Sequence, residues 1–232
     1  MGVGETLRKT FAIYREQAGV LLPVALLLFL AVGTANVLTP DTFGIFILPL
    51  VFSILIGTLY QGMVVSLVRD LHEGRRDSSV PELMRSVLPM FGPLVGAGIL
   101  AGLGIGFGTV FLVVPGLYLA TIWAVVAPVI VVEDRDVMEA FGRSRQLVSG
   151  NGWRVFVVVA VIVGLITLLI TLLFVLLARQ LADNAVLEIA ATTLASTITA
   201  PVEALVASVL YFRLLEIKRA GSVLQQPGDG PR

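Results

Sequence analysis

The 232-residue chain is 57% hydrophobic and only 14% charged, with a formal net charge of zero, one histidine and no cysteine. A soluble domain of this size has no interior large enough for so many apolar side chains, so lipid must cover the excess. The composition excludes disulfides, thiol chemistry and clusters of imidazole metal ligands, and the absence of a basic arm argues against nucleic acid as a partner.

Six apolar stretches can each cross a membrane as a helix. Each supplies about 20 residues, which span roughly 30 Å at about 1.5 Å per residue. Their bounds are 20–38, 43–67, 88–114, 115–132, 155–178 and 186–215. The sequence thus predicts an all-α membrane protein with one six-helix domain over residues 1–219 and a disordered cytoplasmic tail over residues 220–232, which are rich in Gly, Pro and Gln.

Basic residues are unevenly distributed between the two ends of these spans. Fifteen of the sixteen lysine and arginine residues lie on the side that holds both termini, and only Arg179 lies in a loop on the other side. Because basic residues near span ends are retained in the cytoplasm, we predict a multi-pass protein of the plasma membrane with cytoplasmic N and C termini. Fourteen of the sixteen are arginine, which we interpret as a sign of a GC-rich bacterial genome.

Each cytoplasmic entry into a pair of spans begins with an amphipathic segment, which we call an elbow. The three elbows are residues 5–17, the segment that starts at Ser79, and Val137–Val148. Apolar and polar residues alternate at helical spacing in the third, so we expect it to lie flat in the headgroup region. The spans are therefore predicted to form three hairpins, each preceded by a cytoplasmic elbow, and the similarity of the three units suggests an internal repeat.

The charged residues of the elbows predict specific local contacts. Ser79 with Glu82 and Asp136 with Glu139 have the spacing of capping boxes. Glu139 precedes Arg143 by four residues, the spacing of a helix-surface ion pair. Glu139, Arg143 and Arg145 are also our candidates for contact with lipid headgroups.

Two features of the third and fourth spans predict how they pack. Pro115 and Gly116 are typical of a helix end, so we predict the structural turn between these spans there. Pairs of glycines at four-residue spacing in the third span predict a face that another helix approaches closely. These glycines are Gly98, Gly102, Gly104, Gly106 and Gly108. In the fourth span we expect a packing contact at Trp123 and a kink at Pro128.

Glu203 is the charged residue that lies well inside a span, ten residues before Arg213 and so about 15 Å from that end. A carboxylate at this depth costs several kcal/mol and marks a candidate functional site. The alternative is a protonated or hydrogen-bonded packing residue, since no basic residue is predicted at the same depth. The uncharged polar residues of the spans, including Gln61, Thr167 and Thr199, fit helix packing equally well.

A set of residues in the second half of the chain forms a recognisable pattern: Pro115, Gly116, Tyr118, Trp123, Pro128, Glu133, Glu139, Ala140, Arg143, Ser144, Leu147, Gly150, Trp153, Pro201, Tyr211, Phe212 and Arg213. This pattern resembles the bacterial membrane-domain family of glycerophosphoryl diester phosphodiesterases. In that family the hydrolytic chemistry belongs to a separate soluble domain, so the resemblance implies a membrane domain without that activity. His72, the single histidine, does not provide the histidine and carboxylate set that the reaction needs.

Three functions remain open on the sequence. The first is a non-enzymatic membrane module, a scaffold or accessory protein. Its partners would be membrane lipids and, in addition, another membrane or cytoplasmic protein. The second is a small transporter or channel that uses Glu203. A lipid-acting enzyme built on Glu133, Asp134, Asp136, Arg143 and Arg145 ranks last, because capping and membrane contact already explain these residues. We predict no catalytic residue, no cofactor and no metal site.

Overall fold

The computed structural model describes residues 2–38, 47–75, 79–180 and 184–224, and this part of the chain is all-helical. Its α-helices are α1 (Val3–Leu38), α2 (Ile47–His72), α3 (Val80–Val87), α4 (Phe91–Phe111), α5 (Val113–Ile122), α6 (Val126–Glu133), α7 (Val137–Val148), α8 (Gly152–Phe156), α9 (Gly164–Gln180) and α10 (Ala185–Leu224). A 3₁₀ turn, Leu88–Met90, joins α3 to α4, and a π-helical segment, Val157–Val163, joins α8 to α9.

Six helical stretches of the described chain are long and apolar enough to cross a membrane. They are Val3–Asn36, Leu48–His72, Val80–Phe111, Val113–Glu133, Gly152–Leu177 and Val186–Ala220. Each coincides with one of the six apolar stretches read from the sequence, which confirms the number of candidate spans. The reason is simple, since only a helix satisfies the backbone hydrogen bonds of so long an apolar run within one segment.

The first helix differs from the prediction, because the structure does not separate an elbow at residues 5–17 from the first span. One helix runs from Val3 to Leu38 through Pro23. Thr6 and Thr10 are buried, and Glu5 forms an ion pair with Arg213 of α10. The polar start of α1 is therefore packed along α10 and continues the span without a break.

The turn between the third and fourth spans was predicted wrongly. The helix ends at Phe111, Leu112 is extended with φ −156° and ψ 123°, and the next helix begins at Val113. Pro115 and Gly116 lie in the first turn of α5. Proline is tolerated there because the first backbone N–H groups of a helix have no intrahelical partner.

The fourth span is broken, but not at Pro128 as predicted. Residues 123–125 form a turn between α5 and α6, and Pro128 is the third residue of α6, where it disrupts no helical hydrogen bond. The hydroxyl of Ser144 in α7 donates to the carbonyl oxygen of Ile122 at 2.8 Å. The break between α5 and α6 leaves the Ile122 carbonyl oxygen without a helical partner, and α7 supplies the missing hydrogen-bond donor.

Helices α3 and α7 are separate helices at the predicted elbow positions, but only α3 has the predicted cap. The backbone N–H of Ser79 donates to Glu82 at 2.9 Å, which confirms that capping box. Asp136 is the N-cap residue of α7 without a side-chain cap hydrogen bond, so the second predicted box is absent. The other end of the chain also differs, since α10 extends to Leu224, five residues into the predicted tail; residues 225–232 lie outside the described part.

The bundle is packed unevenly along its length. Residues 62–68 of α2 and 204–212 of α10 are all buried, as are most of 125–131 in and before α6. We call this region the packed end. Residues 50–57, in the other half of α2, are exposed or half-buried. The first and last helices, α1 and α10, pack along one another and close the bundle.

Candidate functional site

Glu203 lies on α10 at the edge of the packed end and is accessible. Its Oε1 accepts a hydrogen bond of 2.7 Å from the hydroxyl of Thr167 in α9. Within the described part of the chain Glu203 has no ion-pair partner. Thr167 lies in the first turns of α9, directly after the π-helical segment, and such segments are frequent near functional sites because they change the direction in which the following residues point.

Glu203 lines a cavity of about 400 Å³, which we call the Glu203 cavity. Helices α1, α2, α4 and α10 form its walls. The polar residues among its lining are Ser53, Thr58, Tyr60, Gln61, Ser196, Thr199 and Glu203, and none of its thirteen lining residues is basic. A cavity of this volume lies within the range of small-molecule sites. The structure thus places Glu203 together with Gln61 and Thr199, which fitted helix packing equally well in the sequence, and with polar residues that the sequence did not single out.

The polar lining follows the period of an α-helix on each of two walls. Ser53 and Gln61 lie on the same face of α2, eight residues apart with Gly57 between them, and Ser196, Thr199 and Glu203 are spaced by three and four residues on α10. This spacing was available in the sequence and would have identified the polar faces. What the sequence did not show is that the two faces oppose one another.

Two aromatic residues that the sequence did not single out also line the Glu203 cavity. Phe29 of α1 and Tyr60 of α2 both line the cavity, with ring centroids 5.7 Å apart and ring planes at 64°. The hydroxyl of Tyr60 donates to the carbonyl oxygen of Leu21 at 3.2 Å, which links α1 to α2. Aromatic residues are common in apolar spans, so no local signal distinguishes these two from lipid-facing residues.

The packed end closes one side of the Glu203 cavity. Beyond Gln61 on α2 and Ala204 on α10, both of which line the cavity, the next residues of each helix are buried. Val64 and Leu205, for example, are no more than 1% exposed. Close-packed side chains of this kind leave no room for a solute. The packed end therefore offers a solute no route to Glu203.

A second polar cluster, which we call the Glu133 junction, joins α6, α7 and α10. The carboxylate of Glu133 accepts hydrogen bonds from Nε of Arg143 at 2.9 and 3.0 Å, and from the hydroxyl of Tyr211 at 3.1 Å. Arg135 adds an ion pair at 3.4 Å. Glu133 is the last residue of α6, where the helix dipole disfavours a negative charge. These partners compensate for that cost. The Glu133 carboxylate thereby connects α6 to α7 and to α10.

The structure corrects the predicted pairing of the third elbow. Arg143 binds Glu133 rather than Glu139, and Glu139 instead lies 3.4 Å from Arg135. Arg145 is exposed on α7 and Arg143 is half-buried. Of the three candidates for headgroup contact, Glu139 and Arg145 remain at the surface, whereas Arg143 is held in the Glu133 junction.

The lone histidine, His72, lies near this junction at the end of α2. Its ring stacks on Phe212 with centroids 4.3 Å apart, and its Nε2 is 3.9 Å from Glu216. Across the described ranges, no group of three or more histidine, aspartate or glutamate residues is placed to hold a metal ion. These contacts give His72 a packing role between α2 and α10.

Comparison with known proteins identifies a family but no function. The family model that matches is described as a domain of unknown function (DUF7847), and it covers residues 80–215, more than half of the chain. No curated protein and no solved structure matches the chain. The matched range includes Glu203 and the Glu133 junction but not the α1 and α2 walls of the Glu203 cavity. The resemblance to glycerophosphoryl diester phosphodiesterase membrane domains stays a prediction, since the matched description does not refer to them.

Proposed function

The chain belongs to this family of unknown function, and because the family assigns no activity, we propose from the geometry that it is a small membrane transporter. In this proposal Glu203 binds a cation or a proton inside the Glu203 cavity. The observation that carries the proposal is a carboxylate in a polar cavity of about 400 Å³, whose lining contains no basic residue in the part of the chain that the structure describes.

The energetic argument concerns the cost of placing a carboxylate in a membrane. A charged group near the middle of a span costs several kcal/mol unless it is paired, hydrated or protonated. Thr167 provides one neutral hydrogen bond, which leaves the charge itself uncompensated. A cavity that admits water and a cation offers the missing compensation, and reversible exchange of that cation is the property that transport needs.

Replacing Glu203 tests the proposal directly. In proteoliposomes with an entrapped pH-sensitive dye, we expect an imposed gradient of Na⁺, K⁺ or choline to drive proton movement through the wild-type protein. Glu203→Gln keeps the shape of the side chain but neither carries charge nor exchanges a proton, so its rate should fall to that of empty liposomes.

The matched control is Glu188→Gln, the same substitution in the exposed first turn of the same helix. This variant should keep the wild-type rate. A Glu203→Gln protein that folds and retains flux would refute the role of the carboxylate, and a wild-type protein no faster than empty liposomes would refute the transporter.

The second candidate function is a non-enzymatic scaffold or accessory protein of the plasma membrane, and a different observation favours it. Met138 on α7 and Trp153 at the start of α8 are each 74% exposed, although both are large and apolar. Tryptophan is typical of the membrane–water interface. In this proposal α3 and α7 are elbows on the cytoplasmic surface, three hairpins enter from that surface, and the exposed residues contact lipid or a protein partner.

The proposed orientation has a direct test in cysteine labelling, since the chain has no native cysteine. Arg145→Cys on α7 should react with a membrane-impermeant thiol reagent from the cytoplasmic side only. Ser53→Cys in the Glu203 cavity should react from the opposite side only, because the packed end blocks the cytoplasmic route. Ser208→Cys is the control, because Ser208 is fully buried in the packed end and should not react from either side. Labelling of positions 53 and 145 from the same side would contradict this arrangement.

A further inference from the structure

We propose that the ligand of the Glu203 cavity is a small organic ammonium ion rather than a metal ion. This inference rests on the proposed function, because it names the class of cation that Glu203 would bind. It depends on three properties of the cavity: its volume, its aromatic wall and the number of its carboxylates.

The volume and the carboxylate count argue against a metal site. A divalent cation is held by several oxygen ligands at about 2.0–2.6 Å, and protein sites usually supply more than one carboxylate. The described residues that line the Glu203 cavity include one carboxylate, and the volume of the cavity is about 400 Å³. A bare ion would occupy a small part of this space, whereas an organic cation with alkyl groups can contact several walls at once.

The aromatic wall favours an ammonium group with a hydrocarbon surface. Phe29 is half-buried and lines the cavity, whereas Tyr60 is only 2% exposed and packs against Phe29 with the two ring planes at 64°. Phe29 is therefore the ring that a ligand can contact. The faces of aromatic rings attract cations, and quaternary ammonium groups are typically recognised in this way. The hydrogen bond of Tyr60 to the Leu21 carbonyl oxygen fixes the ring against which Phe29 packs. This restriction exists before any ligand binds and lowers the entropy cost of binding.

The remaining lining suits the same class of ligand. Ser53, Gln61 and Ser196 provide oxygen atoms that can accept hydrogen bonds from a hydroxyl or an N–H group of the ligand. Glu203 supplies the single negative charge that matches a monovalent cation. Among the described residues that line the cavity none is basic, so none of them competes with the ligand for Glu203.

Binding to the purified full-length protein in detergent micelles, measured by calorimetry, tests the ligand class. The probes are choline, its uncharged isostere 3,3-dimethylbutan-1-ol, and NaCl. We expect choline to bind, the isostere to bind at least about tenfold more weakly because it lacks the charge, and Na⁺ not to compete. Glu203→Gln should abolish choline binding, whereas Glu188→Gln should not change it.

The contribution of the aromatic wall is tested by Phe29→Leu, which keeps an apolar side chain but removes the ring. Choline affinity should fall about three- to tenfold, as expected for one cation–π contact. Phe107→Leu is the control, since Phe107 is 62% exposed on α4 and lies outside the cavity lining. Equal affinities of Phe29→Leu and the wild type would overturn the aromatic contact.

The two proposals fail in different ways. Proton movement that needs Glu203 and is driven by Na⁺ or K⁺, without choline binding, would overturn the ammonium ligand and leave the transporter standing. Choline binding without flux under any gradient would support the ligand class and refute the transporter. Equal binding of choline and its isostere would overturn the inference, because recognition would then not depend on charge.

Discussion

Gly116→Ala is expected to lower the free energy of unfolding by about 2 kcal/mol or more, because the added methyl group has no space. A Cβ on Gly116 would lie 2.7 Å from the backbone N and 2.9 Å from the Cα of Thr109. The reverse contact is equally close, since a Cβ on Gly108 would lie 3.0 Å from the Cα and N of Gly116. Backbone atoms of two helices cannot move aside as a side chain can, so α4 and α5 must separate. Thermal unfolding in detergent micelles, followed by circular dichroism, measures the loss.

Gly102→Ala is the matched control on α4. Apart from the neighbouring backbone of α4 itself, no atom lies within 4 Å of a Cβ placed there. Alanine loses less backbone entropy than glycine when a helix forms. The free energy of unfolding of this variant should therefore equal that of the wild type or exceed it by up to about 1 kcal/mol. If Gly102→Ala destabilised the protein as much as Gly116→Ala, the close contact of α4 with α5 would not be the cause.

Glu133→Gln is expected to lower the free energy of unfolding by about 2–3 kcal/mol, since it removes the charge that Arg143 faces in the Glu133 junction. The side chain of Glu133 is 15% exposed and that of Arg143 is 32% exposed, so water replaces the lost interaction poorly. The same unfolding measurement applies, and Tyr211→Phe should cost about 1 kcal/mol through the loss of one hydrogen bond.

A pair of double-mutant cycles separates the observed pairing of Arg143 from the one expected from sequence spacing. The cycle of Glu133→Gln with Arg143→Met should give a coupling energy of about 2 kcal/mol. The cycle of Glu139→Gln with Arg143→Met should give less than about 0.5 kcal/mol, as is usual for exposed groups on a helix surface. A larger coupling energy for Glu139 with Arg143 than for Glu133 with Arg143 would show that Arg143 pairs within α7.

The six candidate spans could be predicted from the sequence because an apolar run of sufficient length has one stable solution in lipid. The Ser79 and Glu82 cap was also predictable, since both partners lie within one turn of α3. The glycine pattern was only partly informative. Gly104 packs on Trp123 and Gly108 on Gly116, whereas nothing approaches Gly102 or Gly106.

The mistaken predictions share a physical cause, which is that tertiary contacts decided between local alternatives. Pro115 fits a helix end and the first turn of a new helix equally well, and the contact of Gly116 with α4 favours the second. Arg143 has a carboxylate four residues before it, but α6 brings Glu133 closer.

Glu203 was identifiable as a candidate from depth and charge alone. Its surroundings were not, because the cavity is formed by helices that are distant in the sequence. Phe29, Gln61 and Glu203 meet only after α1, α2 and α10 have packed together. Periodicity identifies which face of a helix is polar but carries no information on the helix that opposes it.

The pairing of α1 with α10 has a consequence for biosynthesis. The contacts of Thr193 with the Phe29 carbonyl oxygen and of Arg213 with Glu5 join segments separated by 164 and 208 positions along the chain. Helices are inserted in the order in which the ribosome makes them, so α1 must wait in lipid for the last helix before it can acquire its main partner. A nascent chain halted before α10 therefore lacks the carboxylate and the α10 wall of the cavity, and it exposes the surface of α1 to which α10 binds.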